Sequence, residues 1–237
     1  MTFIFKTYLI DYDYNFNNHE QTILFLHGWG GNKNSFISAI NFFKHNYNTL
    51  SISMPPSKES RIPLTMDDYK NLILQILKLN NIRSVIIVCH SFGMRVSLML
   101  ASSDLIIEKI IITGGAGIIL QPKFLQKLNS QHSNLLLKKH PSLFPKFASP
   151  DYKVLSKIDK ITFKNIVNKN LTNYIKLLKC PALLFWGNKD TATPICFTKI
   201  FKQHHPNTKT VIVKGSHFAY LEYSQLFINE CNLFLKN

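Results

Sequence analysis

The chain has 237 residues, 46% hydrophobic and 17% charged, with 28 Lys and Arg against 13 Asp and Glu for a formal charge of +15. That balance can bury the core of one large domain or two small ones, and it excludes disordered, collagen-like and low-complexity classes. No apolar run approaches the roughly 20 residues of a membrane helix, so a soluble, cytoplasmic protein with no membrane span is expected.

Residues 1–10 are apolar around Lys6 and run into Asp11 and Asp13 without a small-residue cleavage site, so they read as a first strand. Short runs rich in β-branched or aromatic residues follow at 22–26, 49–53, 85–89, 107–113, 182–186 and 210–213, the pattern of buried parallel strands. Helices are predicted over 67–79, where Tyr69, Leu72, Ile73, Ile76 and Leu77 fall at helical spacing, from 91 to 101, and over 218–234. This alternation predicts an α/β fold, an open, mostly parallel sheet with helices on both faces. No fixed-period repeat competes with it.

Residues 120–179 break the alternation, with prolines at 122, 141, 145 and 150 and no convincing strand. A segment this long is too much for a plain connection, so it reads as a small helical lid inserted into a core formed by 1–119 and 180–237. Residues 121–170 hold ten lysines against Asp151 and Asp159, a net +8. The basic excess would suit an acidic partner. A composition rich in Lys, Asn, Ile and Phe, as A/T-biased codons produce, also accounts for it and is preferred. The four cysteines, 89, 180, 196 and 231, lie far apart in no metal or redox pattern and read as core thiols.

The segment Val85-Ile-Ile-Val-Cys89-His90-Ser91-Phe92-Gly93 is a β-branched run that ends at a serine flanked by small residues, with a helix former behind it. A strand, sharp turn and helix of this kind hold a serine hydroxyl on a strained elbow. Cys89 stands where Gly is usual. Serine needs a base, and the base an orienting acid. Asp190 follows the strand at 182–186 and His217 the strand at 210–213, so all three groups come from one rim of the sheet, where α/β proteins gather their ligands. After the strand at 22–26, His27-Gly-Trp29-Gly-Gly forms a loop whose Trp29 N–H, with that of Phe92, can face a developing oxyanion. The same loop lacks the Gly-x-Gly-x-x-Gly or Lys-Ser/Thr of a phosphate cradle. His27 reads as structural. His90 is either a pocket-lining or a packed residue.

These four motifs, in this order, resemble the α/β-hydrolase superfamily, and specifically small bacterial carboxylesterases and pimeloyl-carrier methyl ester esterases. The resemblance runs from about residue 20 to the C-terminus and is weakest through the lid. It implies an eight-stranded α/β-hydrolase fold with Ser91 as nucleophile, His217 as base and Asp190 as acid, and no cofactor or metal. The implied activity is hydrolysis of small or medium acyl esters through an acyl-enzyme. Its alternatives are an esterase on a methyl ester bound to acyl carrier protein, or a carbon–carbon bond hydrolase or lyase on the same scaffold. Trp29, Phe124, Phe147, Phe163 and Phe218 are candidates for binding substrate. The expected partners are a small-molecule ester and, in the alternative, an acidic acyl carrier protein, with no nucleic acid and a monomer or weak dimer. The loop at 53–60 lacks the Asp and glycines usual in the superfamily, so the pocket edge is not transferable.

Overall fold

The computed structural model describes residues 1–56, 62–119 and 155–237. Eight strands form one sheet in the order β1-β2-β4-β3-β5-β6-β7-β8. They are β1 (Thr2–Phe5), β2 (Tyr8–Asn15), β3 (Thr22–Leu26), β4 (Asn48–Ile52), β5 (Ser84–His90), β6 (Ile106–Thr113), β7 (Ala182–Gly187) and β8 (Thr208–Val213). The β1/β2 and β2/β4 pairs are antiparallel and every other pair is parallel. The helices are α1 (Ile37–Phe43), α2 (Met66–Leu79), α3 (Phe92–Leu100), α4 (Lys157–Val167), α5 (Cys196–His204), α6 (Ala219–Glu222) and α7 (Ser224–Lys236), with a 3-10 helix over Thr172–Leu177.

Both faces of the central strands are covered, which is why those strands read as unbroken apolar runs instead of alternating ones. Successive side chains still point to opposite faces. Val85, Ile87 and Cys89 of β5 join one cluster with Leu72 and Ile76 of α2 and Met94 and Leu98 of α3. Ile86 and Val88 join the other with Phe43 of α1 and Phe227 of α7. Helix α2 starts at a capping box, in which Thr65 and Asp68 satisfy each other's backbone N–H groups.

Three expectations change. The single first strand over 1–10 is a hairpin that turns at Lys6, whose φ is 53°. The helix expected over 218–234 is two helices, broken at Tyr223 where ψ is 44°. Helices α1 and α5 add to those predicted, and α4 with the 3-10 helix falls within 120–179. The rest of the expected lid, with Phe124 and Phe147, lies outside the described residues.

Candidate active site

Ser91 ends β5 and caps α3 with φ 47° and ψ −109°, a region that L-residues rarely adopt and that costs on the order of 1–3 kcal/mol. Three backbone bonds hold it there: Ser91 N–H donates to Thr113 O at 3.1 Å, and Ser91 O accepts from Met94 N at 3.1 Å and Ala116 N at 3.0 Å. A Cβ on Gly93 would sit 2.1 Å from Leu26 O, so only glycine lets α3 pass this close to β3. Cys89, on the other side, points into the core, and burial pushes its thiol up to about 12.

Asp190 follows β7, and its carboxylate is fully satisfied. Oδ1 accepts from the N–H groups of Ala192 at 2.9 Å and Thr193 at 2.8 Å. Oδ2 accepts from the Thr193 hydroxyl at 2.7 Å and from His217 Nδ1 at 2.8 Å. Burial works to raise its pKa, but the His217 and Thr193 bonds outweigh that and hold it below the usual carboxylate value. His217 follows β8, and its ring lies against Gly114, where a Cβ would come within 3.0 Å of Nδ1. Gly114 directly follows the Thr113 carbonyl that receives Ser91 N–H, so the serine and the imidazole meet at the end of β6. Among the described residues no hydrogen bond yet joins the Ser91 hydroxyl to His217; such bonds are often long before substrate arrives.

The glycine loop runs past Ser91, since a Cβ on Gly28 would lie 3.3 Å from Ser91 Cβ and 2.8 Å from the His90 ring. The N–H groups of Trp29 and Phe92 have no acceptor among the described residues, and Phe92 is the first residue of α3, where helix geometry supplies none. Their side chains pack edge to face at 5.6 Å, and Phe163 of α4 also packs edge to face on Trp29 at 5.3 Å. Phe218 is half exposed beside His217 and His90, its ring 5.4 Å from each.

His27 is buried: its Nδ1–H donates to Gly28 O at 2.6 Å, and its Nε2 accepts from Met54 N at 2.8 Å. Burial lowers its pKa to about 4, so it stays neutral. His90 is a packed residue, its Nδ1 3.0 Å from Thr113 O and its ring 4.7 Å from that of His217. Burial first, then His217, lowers its pKa to about 3. Among the described residues, no three His, Cys, Asp or Glu gather into a metal-binding set.

Sequence reasoning missed Thr193, Gly114 and Glu222. Glu222 accepts from Ser216 N at 2.9 Å and from the Ser216 hydroxyl, fastening the loop that carries His217. The spacing Asp190-x-x-Thr193 was the available signal for the first, since an Asp commonly bonds its own backbone two or three residues on.

A serine on a strained turn, an imidazole bonded to a buried carboxylate and two unsatisfied N–H groups can together perform nucleophilic acyl transfer. A family signature for the alpha/beta hydrolase fold matches residues 21–151, and the chain belongs to that family of hydrolases. Over 115 residues it is 32% identical to a pimeloyl-[acyl-carrier protein] methyl ester esterase of Wigglesworthia glossinidia brevipalpis. That match covers 47% of this chain and 43% of the relative, less than half the relative's length. Among solved structures, the enol-lactonase of Burkholderia xenovorans LB400 is similar with a TM-score of 0.76 at 16% identity, covering 100% of both chains. An esterase of Exiguobacterium antarcticum is similar at 0.73 and 17% identity, covering 97% of this chain and 96% of that one. At these identities the likeness is one of fold.

Proposed function

We propose that the protein is a serine ester hydrolase with Ser91 as nucleophile, His217 as general base and Asp190 as its orienting acid. The observation that carries this reading is the 2.8 Å bond from His217 Nδ1 to the buried Asp190 carboxylate, beside a serine held at φ 47°. With Nδ1–H given to Asp190, Nε2 is the free basic nitrogen. Ser91 Oγ attacks the ester carbonyl while its proton passes to Nε2. The N–H groups of Trp29 and Phe92 receive the oxyanion, a contribution worth roughly a hundred- to a thousandfold in rate per donor. His217 then protonates the leaving alcohol. Water then attacks the acyl carbon as His217 takes its proton, and His217 returns that proton to Ser91 Oγ as the bond to the acyl group breaks and the acid departs.

Small and medium acyl esters are the proposed substrates, with Trp29, Phe163 and Phe218 at the walls of the site. A second reading, hydrolysis of a methyl ester on an acidic carrier protein, is favoured by the relative from Wigglesworthia and by the +8 of residues 121–170. The test is turnover of p-nitrophenyl esters from two to twelve carbons, with fluorophosphonate labelling located by mass spectrometry. Wild type should show a chain-length optimum and label on Ser91, and Ser91→Ala should lose at least about ten-thousandfold in kcat while staying folded. Surviving activity in Ser91→Ala would remove the serine mechanism. Carrier-bound ester turnover should fall as salt rises while that of a small neutral ester should not, and equal salt responses would dismiss the carrier reading.

A further inference from the structure

Arg95 lies on α3, one turn beyond Ser91, and is 7% exposed. Burial of its guanidinium lowers its pKa to about 10, yet no carboxylate among the described residues pairs with it. Its partners are main-chain carbonyls at the end of α4: Nη1 donates to Ile166 O at 2.9 Å and Lys169 O at 2.9 Å, and Nη2 to Val167 O at 3.5 Å. A helix end leaves its last carbonyls without internal partners and carries partial negative charge, so a buried cation is at home there. Other bonds fasten the same helix, and the segment that follows it, to the core. Thr162 Oγ1 accepts from Leu64 N at 3.0 Å, Asn165 Nδ2 donates to Leu64 O at 3.2 Å, and Leu171 N donates to Gly117 O at 2.9 Å.

One turn before these carbonyls, α4 presents Phe163 to Trp29, whose indole makes edge-to-face contacts with both Phe163 and Phe92. The loop that carries Trp29 is fastened at its two ends, by the His27 ring on Gly28 O and Met54 N and by Asn32 and Lys33 on the Ser35 and Ser53 hydroxyls, and between them Trp29 itself is held by its ring contacts. Gly30 takes φ 74° with nothing within 4 Å of its added Cβ, and next to it Gly31 N donates at 3.0 Å to Gly28 O, which also accepts from His27 Nδ1. We propose that Arg95 is a positioning residue for the oxyanion loop, holding α4 so that Phe163 keeps Trp29 in place. The Arg95 side chain thereby links the helix that begins at the nucleophile to the loop that receives the oxyanion. The role assigned to the loop rests on the ester-hydrolase reading; the mechanical link from Arg95 to Trp29 does not.

The experiment is a double-mutant cycle of Arg95→Met and Phe163→Ala, with Arg95→Lys as the conservative variant, followed by ester kinetics and by 19F NMR of fluorotryptophan-labelled protein. The two tryptophans, 29 and 186, give separate resonances, assigned through Trp29→Phe. Trp186 is buried in β7 and bonded to Thr193 O at 2.9 Å, so its unchanged resonance reports an intact core. In both single variants the Trp29 resonance should shift or broaden while that of Trp186 stays. On p-nitrophenyl acetate kcat should fall roughly ten- to a hundredfold with little change in KM, the scale of a small misplacement of a reacting group. Arg95→Lys should recover part of the loss, and the double variant should be no worse than the worse single one. A Trp29 resonance unmoved in folded Arg95→Met, or in Phe163→Ala should Arg95→Met fail to fold, would overturn the proposal, as would losses in kcat that multiply in the double variant. If wild type neither turns over esters nor labels at Ser91 while Trp29 still responds to Arg95, the ester reading fails and the link stands.

Discussion

The two small residues beside Ser91 face different constraints. On the Gly93 side the carbonyl of Leu26 occupies the space a side chain would need. On the Cys89 side the side chain is fully buried within the core cluster. The sequence shows both positions as small and cannot show that only one is sterically closed. Cys89→Gly should therefore keep its activity and lose about 1 kcal/mol of stability, because it empties a filled core position; kinetics and denaturant titration check the two halves of that statement. A folded variant without activity would mean that Cys89 shapes the turn. Ser91, Asp190 and His217 were legible because each stands where a strand stops. Thr193 was marked only by its spacing from Asp190, and Arg95, whose guanidinium contacts backbone groups about seventy residues away, by no local pattern at all.

Strands β3, β4, β5 and β7, and the second half of β6, were readable as continuous apolar runs because they are buried on both faces, whereas the edge strand β8, which exposes Lys209 and Ile212, was legible through its β-branched residues. The first hairpin was not, since its turn falls on Lys6 with no Gly, Asn or Pro to mark it. The break between α6 and α7 was hidden for a similar reason: helical spacing continues through Tyr223 although the chain bends there. That bend has a use. The single turn of α6 brings Glu222 back onto Ser216, and the Ser216 bonds hold the Glu222 carboxyl below its ordinary pKa. Glu222→Ala should loosen the loop around His217 and lower kcat by roughly three- to tenfold with KM unchanged, comparable to losing one hydrogen bond. Unchanged kcat would show that β8 and Gly114 alone suffice to place the imidazole.

Across the molecule, the two buried neutral histidines set an acid limit. An unfolded histidine takes up its proton near pH 6.5, whereas folded His27 does so near 4 and folded His90 near 3. Between these values the unfolded chain binds the extra protons, so the stability they contribute is full above pH 6.5 and is lost as pH falls toward the folded values. By pH 5 the loss should be about 2 kcal/mol for each residue. Unfolding free energy measured by denaturant titration from pH 7 to 5 should fall with a slope approaching two protons; a slope near one would mean that one ring is charged in the fold, and a flat profile that both are.

The contacts of Arg95 have a further consequence for how this protein can diverge. Among the described residues all its acceptors are backbone oxygens, of Ile166, Lys169 and Val167, so these bonds, unlike those of Thr162 and Asn165 or the burial of Ile166, do not depend on which side chains the helix carries. Substitutions along this helix can remodel the wall beside Trp29 while the anchor persists. Selection can thus explore new substrates on a surface whose seat in the fold is inherited unchanged.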